Sequence, residues 1–155
     1  MKKISVIICC LFMIFAVSGC DKDKNELNVK TLTCTGKSLG NNMNAESSVK
    51  YTFKNDKLSN ANIKFMFKDI KIDNLSSVWD NLKEQFTEQN KPAEDIGYRR
   101  TVEADDKNYV FTVFVDIDFR KISKETMEKY EVEDYREKTY DELKEEAKEL
   151  SLTCK

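Results

Sequence analysis

Ile96-Gly97-Tyr98-Arg99-Arg100-Thr101-Val102-Glu103-Ala104-Asp105-Asp106-Lys107-Asn108-Tyr109-Val110-Phe111-Thr112-Val113-Phe114-Val115-Asp116-Ile117-Asp118-Phe119 is the stretch on which the fold turns. Apolar and polar residues alternate on both sides of a polar break at Asp105–Asn108, the period of a half-buried strand. Two such runs joined by a short Asp/Asn-rich link form an antiparallel hairpin, because Asp and Asn bond their own backbone and tolerate turn conformations. Pairing Ala104 with Tyr109 places Val102 opposite Phe111, Tyr98 opposite Val115 and Ile96 opposite Ile117 as the core face. Arg100 then interrupts that face opposite Val113, and its guanidinium must reach the edge or meet a carboxylate, since an unpaired buried charge is too costly. Arg99, Phe114, Asp116 and Asp118 gather on the other face.

Upstream the same period continues. A first strand is expected around Asn28–Thr35, a loop over Gly36–Ser47, a second strand at Ser48–Lys54 and a third at Leu58–Lys68. Ala61, Ile63, Phe65 and Phe67 share one face of the third. At the Asn55-Asp56-Lys57 link a plain two-residue turn sets Tyr51 opposite Asn60. A longer turn or a bulge sets Tyr51 opposite Ala61 and Val49 opposite Ile63, which keeps apolar residues together and is the expected register. Leu75, Val78, Trp79, Leu82 and Phe86 recur at helical spacing, with Asp73 or Asn74 as the cap and Pro92 after the end. The stripe is read as the side that covers the sheet; Trp79 as an exposed anchor in a ligand cleft is the alternative. At the C-terminal end Ser123 caps a short segment holding Met127. Thr139 and Glu142 form a capping box for a helix carrying Tyr140, Leu143, Ala147 and Leu150. The expectation is an α+β fold: an antiparallel sheet of about five strands, packed on one face by a central helix and a C-terminal helix.

The first 19 residues read differently. Lys2 and Lys3 precede an apolar run from Ile4 to Val17, too short to span a bilayer as a permanent helix and organised like a secretory leader. Val17-Ser18-Gly19-Cys20 resembles the lipobox of bacterial lipoproteins. That resemblance implies cleavage before Cys20 and a thioether-linked lipid on its sulfur, with two or three acyl chains holding the protein stably on a membrane. An ordinary signal cleaved after Gly19, leaving Cys20 as a thiol, is the alternative. The organisation expected is therefore 1–19 as a cleaved lipoprotein signal peptide, 20–27 as a lipidated tether and 28–155 as one α+β domain.

Removing the leader changes the arithmetic. Without Lys2 and Lys3 the 26 basic residues fall to 24 against 28 acidic ones, a formal charge of −4, which is no profile for nucleic acid. Of five cysteines, Cys9 and Cys10 leave with the leader and Cys20 takes the lipid. Cys34 and Cys154 remain, and an even pair in an exported chain reads as a disulfide. Two reduced thiols packed as small apolar groups is the other reading.

Chemistry is sparse. The chain has no histidine, which removes histidine-based catalysis and the usual zinc and copper sites. Glycine-rich phosphate loops are absent, and Asp116, Asp118 and their neighbours lack the spacing of a calcium loop. No cofactor is expected. The acidic run Glu131–Asp134 and the Lys/Glu alternation after Lys144 read as solvated helix surface.

The lipobox, the Leu32-Thr33-Cys34-Thr35 strand, the Tyr51-Thr52-Phe53-Lys54-Asn55-Asp56-Lys57-Leu58 hairpin, the central helix and Ser123-Lys124 after a long strand together resemble the YehR-like family of small bacterial lipoproteins. That resemblance implies an α+β fold and a surface-anchored protein, and carries no catalytic residues. Two function classes follow: a non-catalytic lipoprotein that binds an envelope protein or a small ligand, and a carboxylate-dependent hydrolase of the cell envelope using Asp116 and Asp118.

Overall fold

A computed structural model describes residues 28–155. The leader, Cys20 and the tether lie outside the described residues. No helix among the described residues is long and apolar enough to cross a membrane.

Among the described residues the fold is α+β, one open antiparallel sheet with three α-helices. The strands are β1 (Val29–Leu39), β2 (Asn44–Lys54), β3 (Lys57–Lys68), β4 (Ala93–Asp95), β5 (Tyr98–Asp105), β6 (Val110–Asp118) and β7 (Thr153–Cys154), in the order β4-β5-β6-β3-β2-β1-β7. The helices are α1 (Leu75–Gln89), α2 (Lys124–Lys129) and α3 (Tyr140–Glu149), with a 3-10 turn at Glu133–Tyr135. Seven strands replace the expected five, because β4 and β7 are edge strands of three and two residues. Runs so short carry no period to read.

The expected loop at Gly36–Ser47 is mostly strand. β1 and β2 pair without interruption from Val29↔Lys54 to Leu39↔Asn44, and only the tip turns, with the Gly40 N–H donating to the Met43 carbonyl at 3.0 Å. Backbone pairing needs no apolar side chains, so the ladder outruns the hydrophobic pattern.

The β2–β3 register is the expected one, with Val49↔Ile63 and Tyr51↔Ala61. Asn55 and Asp56, at φ 52° and 61°, make a two-residue turn that sets Phe53 opposite Leu58. The register then shifts beyond Phe53, so that Ser59 is the extra residue of a bulge. Ser59 Oγ donates to the Thr52 carbonyl at 2.9 Å, and the Ser59 carbonyl accepts from the Phe119 N–H.

The β5–β6 hairpin forms two residues out of the expected register: Ala104 faces Phe111, Val102 faces Val113, Arg100 faces Val115 and Tyr98 faces Ile117. A shift of two preserves every face, so alternation does not distinguish the two registers. The link decides it. The Asp105 carboxylate accepts from the Lys107 and Asn108 N–H groups and from Asn108 Nδ2, and Tyr109 stands at φ 53°. This Asx turn keeps Asp105 paired with Val110 and sets the four-residue loop at Asp106–Tyr109, one residue later than the expected Asp105–Asn108. Ile96, expected in the core, is 68% exposed in the β4–β5 turn beside Gly97. Arg100 reaches the edge and donates through Nε to the Lys91 carbonyl at 2.9 Å.

Both helical segments lie against the same sheet face, at opposite ends of the strands. At one end Leu32, Phe53 and Leu143 are fully buried, Phe53 packs on Tyr140, and Met127 and Ala147 complete the cluster. Each such side chain contributes roughly 1.5–3 kcal/mol by leaving water. At the other end Trp79 is 4% exposed and stacks on Phe111, which stacks in turn on Phe86. Trp79 is thus a packing residue, with Nε1 donating to Asp106 at 2.7 Å. Asn74 sits at the N-cap of α1 in a left-handed conformation without bonding through its side chain; Ser77 Oγ donates to its carbonyl instead. The Ser123 cap and the Thr139–Glu142 capping box form as expected.

α2 and α3 end alike. Val132 N–H donates to the Met127 carbonyl and Glu131 N–H to Glu128; Leu152 N–H donates to Ala147 and Ser151 N–H to Lys148. These are Schellman motifs, with Glu131 (φ 55°) and Ser151 (φ 59°) in the left-handed position that glycine usually fills. Leu150, expected within α3, is instead its C-cap and 72% exposed; Leu152 turns back over the sheet.

Candidate functional site

The two helical covers pack on different rows of the sheet. Cross-strand partners place Ala45, Phe67 and Phe111 under the α1 end, Ser47, Phe65 and Val113 in the next row, then Val49, Ile63 and Val115, then Tyr51, Ala61 and Ile117. The middle rows form the floor of a cleft of about 440 Å³. Its roof is Val132, Tyr135, Leu150 and Leu152, delivered by the two Schellman turns and the 3-10 segment, with Glu131 at the rim. Phe65, facing the cleft, is 40% exposed, unusual for an aromatic residue in the middle of a sheet.

Polar groups are few. Tyr51 and Tyr135 both line the cleft. Burial pushes the Tyr51 phenol up to about 12, and the negative charges that Tyr135 and Glu146 can carry add to the shift. At physiological pH Tyr51 is accordingly a neutral donor and acceptor. Lys138 lies over the Tyr135 ring at 4.7 Å and is ion-paired with Glu146, a contact that raises its pKa.

The opposite sheet face is polar and open. Arg99 donates to Asp116 at 2.9 Å, Asn62 Nδ2 donates to the other oxygen at 2.7 Å, and Lys64 sits over the Phe114 ring at 5.7 Å. Burial would raise the Asp116 carboxyl, but the Arg99 and Asn62 hydrogen bonds outweigh it and hold the group below its ordinary value. Asp118 is held low chiefly by Arg120, whose guanidinium bonds both of its oxygens at 2.9 and 2.7 Å. The expected gathering of Arg99, Phe114 and Asp116 is thus present. Each carboxylate has its own cation, so the pair does not share a proton, and neither has the raised pKa of a general acid. Among the described residues no group of three or more His, Cys, Asp or Glu side chains is placed to hold a metal ion.

Cys34 and Cys154 are bonded to each other. They are directly opposite in the β1–β7 pair, flanked by the reciprocal bonds of Thr33 and Lys155, so the bridge fixes the end of α3 to the sheet edge. It therefore holds Leu152 over the cleft.

The cleft was not legible as a site. Glu131 and Val132 read as solvated helix, and Ile63 and Phe65 as ordinary core. One signal pointed to it: β3 offers Ala61, Ile63, Phe65 and Phe67 on one face, more apolar length than two helices cover.

Comparison with protein-family models, with curated proteins and with solved structures returned no match.

Proposed function

We propose that the protein is a membrane-anchored extracytoplasmic lipoprotein, held by lipid on Cys20, whose folded part is a non-catalytic binding domain. Its central helix and C-terminal helix cover one sheet face and leave the cleft beneath Val132, Tyr135, Leu150 and Leu152 as the ligand site. The observation that carries the reading is the cleft itself. A concavity of about 440 Å³, mostly apolar and with a few polar groups, has the size and lining of small-molecule sites, which span about 300–1,000 Å³. The leader supports the location. With Cys34 and Cys154 bonded, export to an oxidising compartment is consistent with the address.

Two measurements test it. Growth with labelled palmitate should label the wild type and leave the Cys20→Ser variant unlabelled; equal labelling of both, or of neither, contradicts the anchor. For the cleft, the chain secreted with Cys20→Ser is titrated with the neutral dye N-phenylnaphthylamine, which brightens in apolar surroundings. Saturable one-to-one binding, weakened about tenfold or more by Ser47→Phe with unchanged circular dichroism, is the expected result. No saturable binding, or binding indifferent to Ser47→Phe, contradicts it.

A further inference from the structure

The electrostatics of the cleft are one-sided. None of its lining residues is basic, and its one charged lining residue is Glu131. No lysine or arginine among the described residues lies within ion-pair distance of Glu131. Nearby, the Lys138 charge is matched by Glu146. The Schellman turns also bring the C-terminal ends of α2 and α3 to the rim, through Glu131 and Leu150. The aromatic residues Phe65, Phe119, Tyr51 and Tyr135 line the same space, and aromatic rings attract cations as well as apolar groups.

We infer that the ligand of this cleft is an amphiphile with a cationic head: an alkyl or aryl body on the Val49–Ile63–Phe65 floor beneath Val132 and Leu152, and an ammonium group facing Glu131. This rests on the binding reading given above and adds the sign of the ligand's charge. An anionic head such as a carboxylate or phosphate would meet Glu131 with no basic side chain in the lining to offset it. A neutral body alone would leave the Glu131 charge unused.

The fold supplies a reason for the placement of Glu131. It occupies the left-handed C′ position of α2, where glycine is favoured and a non-glycine residue is strained. That position aims the residue out of the helix at the rim, away from the i to i+4 ladder in which a helical glutamate finds a lysine.

The test uses the chain secreted with Cys20→Ser and its disulfide intact, titrated with three probes of equal alkyl length below their micelle concentrations: octyltrimethylammonium, octanol and octyl sulfate. The expected order is octyltrimethylammonium tightest, octanol weaker and octyl sulfate weakest. Glu131→Gln should weaken the ammonium probe about three- to tenfold and leave octanol within about twofold, as expected for a rim ion pair reinforced by aromatic rings. The Glu131→Asp variant retains the charge and should keep most of the preference. Octanol binding as tightly as the ammonium probe overturns the inference while leaving the binding reading intact. Failure of all three overturns both. A dimer in sedimentation that Ser47→Phe dissociates would assign the cleft to a second copy, and overturns the inference as well.

Discussion

Replacing Cys34 and Cys154 together by alanine opens a loop whose ends are 120 residues apart. In the chain-entropy model such a crosslink removes about 16 cal/mol/K from the unfolded ensemble, which at room temperature is about 5 kcal/mol. Little in the local structure offsets the loss. β7 has two residues, and beyond the bridge its attachment to β1 includes the reciprocal Thr33–Lys155 bonds at 3.0 and 2.9 Å. For a chain of this size each kcal/mol moves the thermal midpoint by roughly 3–5 °C, so the double variant should melt roughly 15–25 °C lower. Urea unfolding followed by Trp79 fluorescence and far-ultraviolet circular dichroism measures the same loss, and the two probes must coincide for a two-state value. Wild type held reduced is the companion sample: it keeps both sulfur side chains and loses only the bond, so it should fall close to the double variant. A double variant melting within about 5 °C of oxidised wild type would refute the reasoning, because the bond would then constrain nothing that the sheet does not already hold.

Three further outcomes follow from single contacts. Gly97 stands at φ 76° with the Ile122 N and Cα at 2.5 and 2.7 Å and the Asp118 O at 2.9 Å from where a Cβ would lie, so Gly97→Ala should cost more than about 1–3 kcal/mol in urea unfolding; a loss under 0.5 kcal/mol, by rough account, would contradict the packing. Thr139→Ala removes the side-chain half of the capping box and should cost about 1 kcal/mol, whereas Thr139→Ser should cost a few tenths at most. Asp116 and Asp118 have carboxyls held below their unfolded value of about 3.9, so their contribution to stability is complete above that pH and is lost as pH falls through the lower folded values. Asp118→Asn should accordingly lower stability at neutral pH and flatten the acid limb of the stability profile, while an unchanged acid limb would remove Asp118 from the account.

What the residues disclosed and what they withheld divides along physical lines. The β2–β3 register was legible because a one-residue slip moves Tyr51 and Val49 to the wrong face, and a bulge at Ser59 is the local remedy. The β5–β6 register was not, since a two-residue slip costs no face and the deciding group is a single carboxylate, Asp105, folded over its own loop. Both capping motifs were legible because they are local in sequence. The edge strands were too short to show a period, and Ile96 was drawn into the core by alternation that Gly97 in fact ends. The cleft depends on three separate segments, β2–β3, the α2 end and the α3 end, meeting across one sheet face. No single window of sequence contains it. The Cys34–Cys154 pairing was legible by count alone, and its consequence for the cleft, through Leu152, needed the β1–β7 register.

The most direct test of the central claim is methyl-resolved NMR of the chain secreted with Cys20→Ser during titration with octyltrimethylammonium. The account predicts saturable shifts of the Val49, Ile63, Val132 and Leu152 methyl groups, with Ile70 and Ile72, which lie beside Leu82 and Phe86 of α1 and outside the cleft lining, unmoved. Shifts confined to Ile70 and Ile72, or none that saturate, would contradict it.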